Sequence, residues 1–253
     1  MHNTTVKRIL VTNDDGIHAE GLKVLERSLA ALGEVTVVAP DREMSASGQS
    51  LSVNVPLRVY PFDERHYAVT GTPADAVILA LYRILPAKPD LVVSGINPGG
   101  NLGENILYSG TVAAAMEAAG HGVPAFAISF ASRKYRDFSI ASAFAAQLAA
   151  KVLAEGLPPG VMLNVNVPRG EVRGVRLTRQ SQKISQNLVH EKNDPRGRPY
   201  YWLDETARLE DAEPDSDYAA IFHHEISVTP LQVNRTHQPS LSQLAPWLAT
   251  LHV

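Results

Sequence analysis

Residues 8–39 read RILVTNDDGIHAEGLKVLERSLAALGEVTVVA, and this stretch decides the fold. Arg8 to Asn13 is a short apolar run ending in polar residues, as expected of a buried strand. Ala19 to Leu32 then places Leu22, Leu25, Leu29 and Leu32 on one helical stripe. Glu34 to Ala39 returns to a β-branched run. Strand, helix and strand in this order form one βαβ unit, which requires parallel strands.

Working outward, the rhythm repeats. Pro73 to Leu85 reads as a helix with proline near its start, Asp90 to Ser94 as a strand, Thr111 to Gly120 as a helix and Ala125 to Phe130 as a strand. A further helix is expected from Ser139 to Glu155, with Ile140, Phe144, Leu148 and Val152 at helical spacing. Val161 to Val167 alternates as a strand until Pro168 stops it. The expected fold is α/β, a three-layer, doubly wound, mostly parallel sheet of Rossmann-like type, with residues 1–168 as its core. From Glu171 to Tyr218 the pattern changes to short strands and turns, and Asp194-Pro195-Arg196-Gly197 reads as the turn of a hairpin. Residues 169–253 are thus expected to form a C-terminal β-hairpin arm, a last strand at Ile226 to Val228 and a helix at Leu241 to Leu251, all within one domain of residues 1–253. Such a hairpin is seldom stable alone and should pack on another part of the molecule or on a second subunit.

Composition narrows the function classes. The 253 residues carry a net charge of -3 and no cysteine. There is no broad basic surface to attract a polyanion, so a nucleic-acid scaffold role is disfavoured and any phosphate recognition must be local. The absence of cysteine excludes disulfides and cysteinyl zinc sites and is compatible with a reducing compartment, from which a cytoplasmic location is expected. Lys7-Arg8 precedes too short an apolar run for a signal peptide, and no stretch reaches the length of a membrane span.

In an open parallel sheet, ligands bind beyond the carboxyl ends of the strands, and three loops there stand out. Asn13-Asp14-Asp15-Gly16 follows the first strand. Two ionised carboxylates about 4 Å apart repel by roughly 4 kcal/mol at an effective dielectric near 20, a cost relieved by a shared cation or by protonating one of them. Alternatively, Asp14 caps the turn while Asp15 faces solvent. Mg²⁺ or Mn²⁺ suits an all-oxygen ligand set. The second loop, Pro40 to Ser50, is rich in hydroxyls and carries Arg42 as a source of positive charge. The third runs from Ser94 through Asn97 and Asn101 to Ser109-Gly110-Thr111 at a helix start, where free N–H groups and hydroxyls form an anion site. Motifs of P-loop ATPases, dinucleotide dehydrogenases, serine hydrolases and zinc proteases are missing. His18 reads as a solvated loop residue, and His223-His224 as opposite-facing residues of a strand.

Taken in order, Ile9-Leu10-Val11-Thr12-Asn13-Asp14-Asp15-Gly16-Ile17, Ala39-Pro40-Asp41-Arg42, Gly71-Thr72-Pro73-Ala74-Asp75, Val93-Ser94-Gly95-Ile96-Asn97 and Tyr108-Ser109-Gly110-Thr111-Val112 closely resemble the SurE (survival protein E) nucleotidase family. The match extends through Thr178-Arg179-Gln180-Ser181 and Ser227-Val228-Thr229-Pro230. The resemblance implies a phosphomonoesterase acting on nucleoside 5′- and 3′-monophosphates. It further implies one divalent ion on Asp14, Asp15, Ser45 and Asn97, with Asp14 and Asp15 catalytic. Phosphate contacts would come from Asn101, Ser109, Gly110 and Thr111, and the C-terminal arm would build a homodimer or homotetramer. Met44, Gln49 and the pair His224-Glu225 depart from the family pattern, the last replacing a common Gly-aromatic pair.

The expected chemistry is in-line attack by water activated at the ion, with an aspartyl-phosphate route through Asp14 or Asp15 as the rival. A nucleotide-binding sensor without turnover is a second class of answer suited to the same loops. A haloacid-dehalogenase type wants acids two residues apart after the first strand, a spacing that Gly16 breaks.

Overall fold

The computed structural model describes residues 6–182, 185–207 and 212–251. Its principal sheet has nine strands in the order β3-β4-β2-β1-β5-β6-β7-β11-β8. In chain order these are β1 (Arg8–Thr12), β2 (Glu34–Pro40), β3 (Val59–Pro61), β4 (His66–Val69), β5 (Leu91–Pro98), β6 (Ala125–Phe130), β7 (Val161–Val167), β8 (Gly174–Leu177) and β11 (Glu225–Gln232). β4, β2, β1, β5, β6 and β7 run parallel, while β3 and β11 pair antiparallel to β4 and β7. The fold is therefore α/β and doubly wound, as the sequence predicts. The sheet continues past Val167, because β11 and β8 extend it on the far side of β7.

Burial alternates along β1 because successive side chains point to opposite faces. Ile9 and Val11 join the layer beneath α1 (Glu20–Leu29) and α4 (Ser139–Glu155). Leu10 joins the layer beneath α2 (Pro73–Leu79) and α3 (Gly110–Gly120). Leu22, Leu25 and Leu29 of α1 are buried, as the stripe requires. In α4 the fully buried stripe is Ala141, Ala145, Ala149 and Val152, one position on from the expected Ile140, Phe144 and Leu148. Small alanines let this helix lie close to the sheet; Phe144 and Leu148 pack at its flanks and Ile140 is exposed.

Boundaries differ where tertiary pairing overrides local pattern. The Pro73 helix is α-helical only to Leu79 and widens into a π-helical turn at Ala80–Ile84. β5 does not stop at Ser94 but pairs with β6 as far as Pro98, with a register shift between Gly95 and Asn97. The hairpin is present as β9 (Ser185–Asn193) and β10 (Pro199–Ala207), joined at the expected Asp194–Gly197 turn. His223 and His224 are not on a strand: they close α5 (Asp217–Phe222), a helix the sequence reading did not find. The last helix, α6 (Gln238–Leu248), begins earlier than expected.

From β1 the chain winds outward to β2 and β4, then returns to β5 on the other side of β1. The crevice between the carboxyl ends of β1 and β5 is therefore the topological switch point, where open α/β sheets bind ligands.

Candidate active site

A cavity of about 470 Å³ opens at this switch point. Asp14, Asp15, Ser45 and Asn97 all line it, so three separate segments bring the expected oxygen donors together. The turn after β1 is fixed by Asn13, whose side chain donates to the Gly16 carbonyl (3.0 Å) and accepts from the Gly16 N–H (3.2 Å). The Met44 N–H donates to the Asp14 carbonyl at 2.8 Å, tying the second loop to the first.

Asp14 is buried beneath the start of α3. The Thr111 hydroxyl donates to its Oδ1 at 2.5 Å, and the Thr111 N–H also favours its ionised form. Thr111 is wholly buried and does not line the cavity, and its hydroxyl is engaged by Asp14. Gly110 is required by the same packing: a Cβ there would lie 2.7 Å from the Asp14 Cβ and 2.7 Å from the Ser47 hydroxyl. Ser109 caps α3 by accepting the Val112 N–H at 3.1 Å, and it lines the cavity.

The electrostatics of the acid pair suit a cation. Burial pushes the Asp14 carboxyl above its ordinary range despite its hydrogen bonds. Burial, the Asp14 charge and Glu43 together push Asp15 up to about 7, with Arg136 opposing. Asp15 Oδ2 is buried and has no hydrogen-bond partner. Such an oxygen is costly unless a cation or proton meets it. The neutral donors fit as well. The Ser45 hydroxyl donates a hydrogen bond to Glu43 at 2.7 Å, and the Asn97 side-chain N–H donates one to the Gly99 carbonyl at 2.7 Å, leaving oxygen lone pairs on both residues for an ion. This all-oxygen set matches a hard divalent cation.

The loop after β5 has no strand partner beyond Pro98, yet it is held from three sides. Asn166 and Asn164 of β7 donate to the Asn101 carbonyl at 3.0 and 2.8 Å, and Asn166 accepts the Asn101 N–H at 2.8 Å. The Asn101 amide donates to the Ser129 hydroxyl at 2.8 Å, and Asn101 itself lines the cavity. Further on, buried Asp217 accepts the N–H groups of Gly103 (2.9 Å), Ser181 (3.1 Å) and Tyr218 (2.8 Å). Gln180 donates to the Gly103 carbonyl at 2.7 Å.

Positive charge comes from an unexpected loop. Arg133 and Arg136, between β6 and α4, line the cavity, whereas Arg42 does not. A basic cluster just past a strand's carboxyl end was the available signal. Asn164, Asn166 and Asp217 offered none, because only the folded sheet brings them near Asn101 and Gly103. His18 packs edge-to-face on Phe62 (5.4 Å between centroids), outside the cavity.

Comparison with known proteins gives consistent results. A family model described as survival protein SurE matches residues 9–187. The protein named 5′-nucleotidase SurE from Syntrophotalea carbinolica is 50% identical over 247 residues, covering 96% of this chain and 98% of that protein. Its namesake from Coxiella burnetii is 42% identical over 249 residues, covering 97% of this chain and 96% of that protein. Among solved structures, that of the SurE protein from Aquifex aeolicus superposes with a TM-score of 0.86 at 40% identity, covering 95% of this chain and 99% of the other.

Proposed function

The chain belongs to the survival protein SurE family and is a 5′-nucleotidase of that kind, and from the site we propose how it works. We infer that it hydrolyses nucleoside 5′- and 3′-monophosphates to nucleoside and phosphate with one divalent ion, Mg²⁺ or Mn²⁺. The observation that carries this reading is the meeting of Asp14, Asp15, Ser45 and Asn97 around one cavity at the tip of α3.

When bound, the ion supplies Lewis acidity, polarising a phosphoryl oxygen and making water a better nucleophile. The chain's own residues do the rest. Asp14 and Asp15 hold the ion, Thr111 fixes the Asp14 carboxylate, and Ser45 and Asn97 add neutral oxygens. Asn101, Ser109 and the Gly110 N–H are the donors we assign to the phosphoryl oxygens, and Arg133 and Arg136 offset the charge that grows on them during in-line displacement. Thr111 then supports phosphate binding only through Asp14 and the helix start.

The test is phosphate release from AMP by protein dialysed against EDTA, with Mg²⁺ or Mn²⁺ then restored. Activity is expected to vanish on dialysis and return with the ion. Full turnover in the chelated protein would remove the metal from the mechanism.

Among the described residues no helix is long and apolar enough to cross a membrane. With no cysteine in the chain, a reducing cytoplasm is the compartment we assign. We also infer a homodimer or homotetramer built through the C-terminal arm. The exposed Tyr200, Tyr201, Trp202 and Leu203 of β10 and the absence of any buried residue on α6 support it.

A further inference from the structure

Away from the acid pair, His66 opens β4 near the outer edge of the sheet, and both of its ring nitrogens meet carboxylates. Nδ1 lies 2.8 Å from each oxygen of Asp63 in the β3–β4 turn, and Nε2 lies 2.9 Å from Oε1 of Glu26 on α1. A neutral imidazole has a single N–H and would set its other lone pair against a carboxylate, whereas an imidazolium donates on both sides. We propose that His66, protonated on both nitrogens, is a pH-sensitive latch that closes the β3–β4 turn onto α1 and against the loop after the acid pair, and that it opens as the ring loses a proton.

The turn is shaped to receive that charge. Asp63 Oδ1 also accepts the Arg65 N–H at 2.8 Å, and the Phe62 N–H donates to the His66 carbonyl at 2.8 Å, so the backbone aims the carboxylate at the ring. The Arg65 N–H and the His66 ring hold the Asp63 carboxyl below its ordinary range. Burial works against the charged ring, but the hydrogen bonds and charges of Asp63 and Glu26 outweigh it and keep His66 titrating above its ordinary 6.5. Neighbouring cations are turned to other acids, Arg65 to Glu34 of β2 at 3.5 Å and Arg27 to Glu20 at 3.4 Å, and β3 carries no charged residue. The latch is therefore fully closed below 6.5 and is lost as pH rises through the higher value of the folded ring. The same turn carries Phe62, whose ring meets His18 edge-on at 5.4 Å between centroids. His18 follows the acid pair in the loop that leads into α1, so opening the latch frees a contact on that loop.

The test is a histidine titration followed by NMR, with the His66 signal assigned by through-bond spectra. Its midpoint should lie above 6.5, and it should fall toward 6.5 in Glu26→Gln, which keeps an acceptor but not the charge. Hydrogen exchange, corrected for its intrinsic dependence on pH, should be several-fold faster at residues 61–67 and 17–19 near about pH 9 than near about pH 6. The core strand β7 reports any global opening over the same range. His66→Gln should remove the local difference. A wild-type midpoint at or below 6.5, equal corrected exchange at the two pH values, a difference shared equally by β7, or one that persists in His66→Gln would overturn the latch. Because midpoint and exchange are both read on the wild-type protein, the test stands even if a variant fails to fold.

Discussion

Asp15 carries a buried oxygen without a partner, next to a second buried acid, and its carboxyl is pushed up to about 7. In the metal-free protein this makes a stability statement. The unfolded carboxyl titrates near 3.8, so between about 3.8 and 7 the folded chain holds a proton that the unfolded chain has lost. The contribution is full below 3.8 and disappears as pH rises through 7. Melting of EDTA-treated protein should show this decline, and Asp15→Asn should flatten it; an identical slope in the variant would show that Asp15 is not the group responsible. Added Mg²⁺ should raise Tm more at pH 8 than at pH 5.5, since ions bind the ionised pair. For activity, Asp14→Asn or Asp15→Asn should abolish phosphate release with the fold retained by circular dichroism, whereas Thr111→Ala should cost less, about 10- to 100-fold, because the Thr111 N–H remains. Wild-type turnover by either Asn variant would show the assignment wrong. At this scale the acids were legible because two of them follow an apolar strand. The commitment of Thr111 to Asp14 was not, since 97 positions separate them and only the fold brings them within bonding distance.

The β5–α3 loop and α5 show what was hidden among the elements. Periodicity revealed β1, α1, β6, α4 and β7 because each buries a regular apolar face. The helix α5 was missed because it is only six residues long, and its N-cap Ser216 is a signal too common to stand out. Yet its first residue, Asp217, takes three buried N–H groups, one of them from Gly103 in the β5–α3 loop. Gly103 has φ +50 and a Cβ there would meet the Tyr218 ring at 2.6 Å, so loop and helix are closely fitted. Asp217→Asn would turn an amide donor toward at least one of those N–H groups and leave a buried donor unmet, at about 1–3 kcal/mol. The expected outcome is a higher KM for AMP, a smaller change in kcat, and faster hydrogen exchange across residues 101–108. Unchanged exchange would deny the coupling. At the other end of α5, His224 sits at φ +60 in the position after the helix cap. A left-handed residue other than glycine is strained, and the gain from His224→Gly is partly cancelled by the larger unfolded-state entropy of glycine. Chemical denaturation should show stabilisation of at most about 1 kcal/mol; a clear loss would mean that the His224 side chain contributes more than its backbone strain costs.

Over the whole molecule, the repeated βαβ rhythm was enough to expect ligand loops at the carboxyl ends of the strands; that β5 returns to the other side of β1, and so opens a crevice between them, needed the folded sheet. The cavity's cations needed the packed structure, as they draw on the β6–α4 loop, distant in sequence from β1. The β9–β10 hairpin bears on assembly. Among the described residues β9 and β10 pair only with each other, and an isolated two-stranded ribbon is marginal in water. β10 exposes Tyr200, Tyr201, Trp202 and Leu203, and α6 exposes Leu241, Leu244, Trp247 and Leu248 with no residue buried. An amphipathic helix with its apolar side in water gains little from its own chain, whereas burying such faces between copies would stabilise both elements. The chain is therefore expected to elute in light-scattering chromatography at two or four times its own mass. Trp247→Asp should shift the population toward smaller species, and Trp202→Asp should do so separately, if the helix and the hairpin make independent contacts. A wild-type monomer across the micromolar range would refute assembly through this arm.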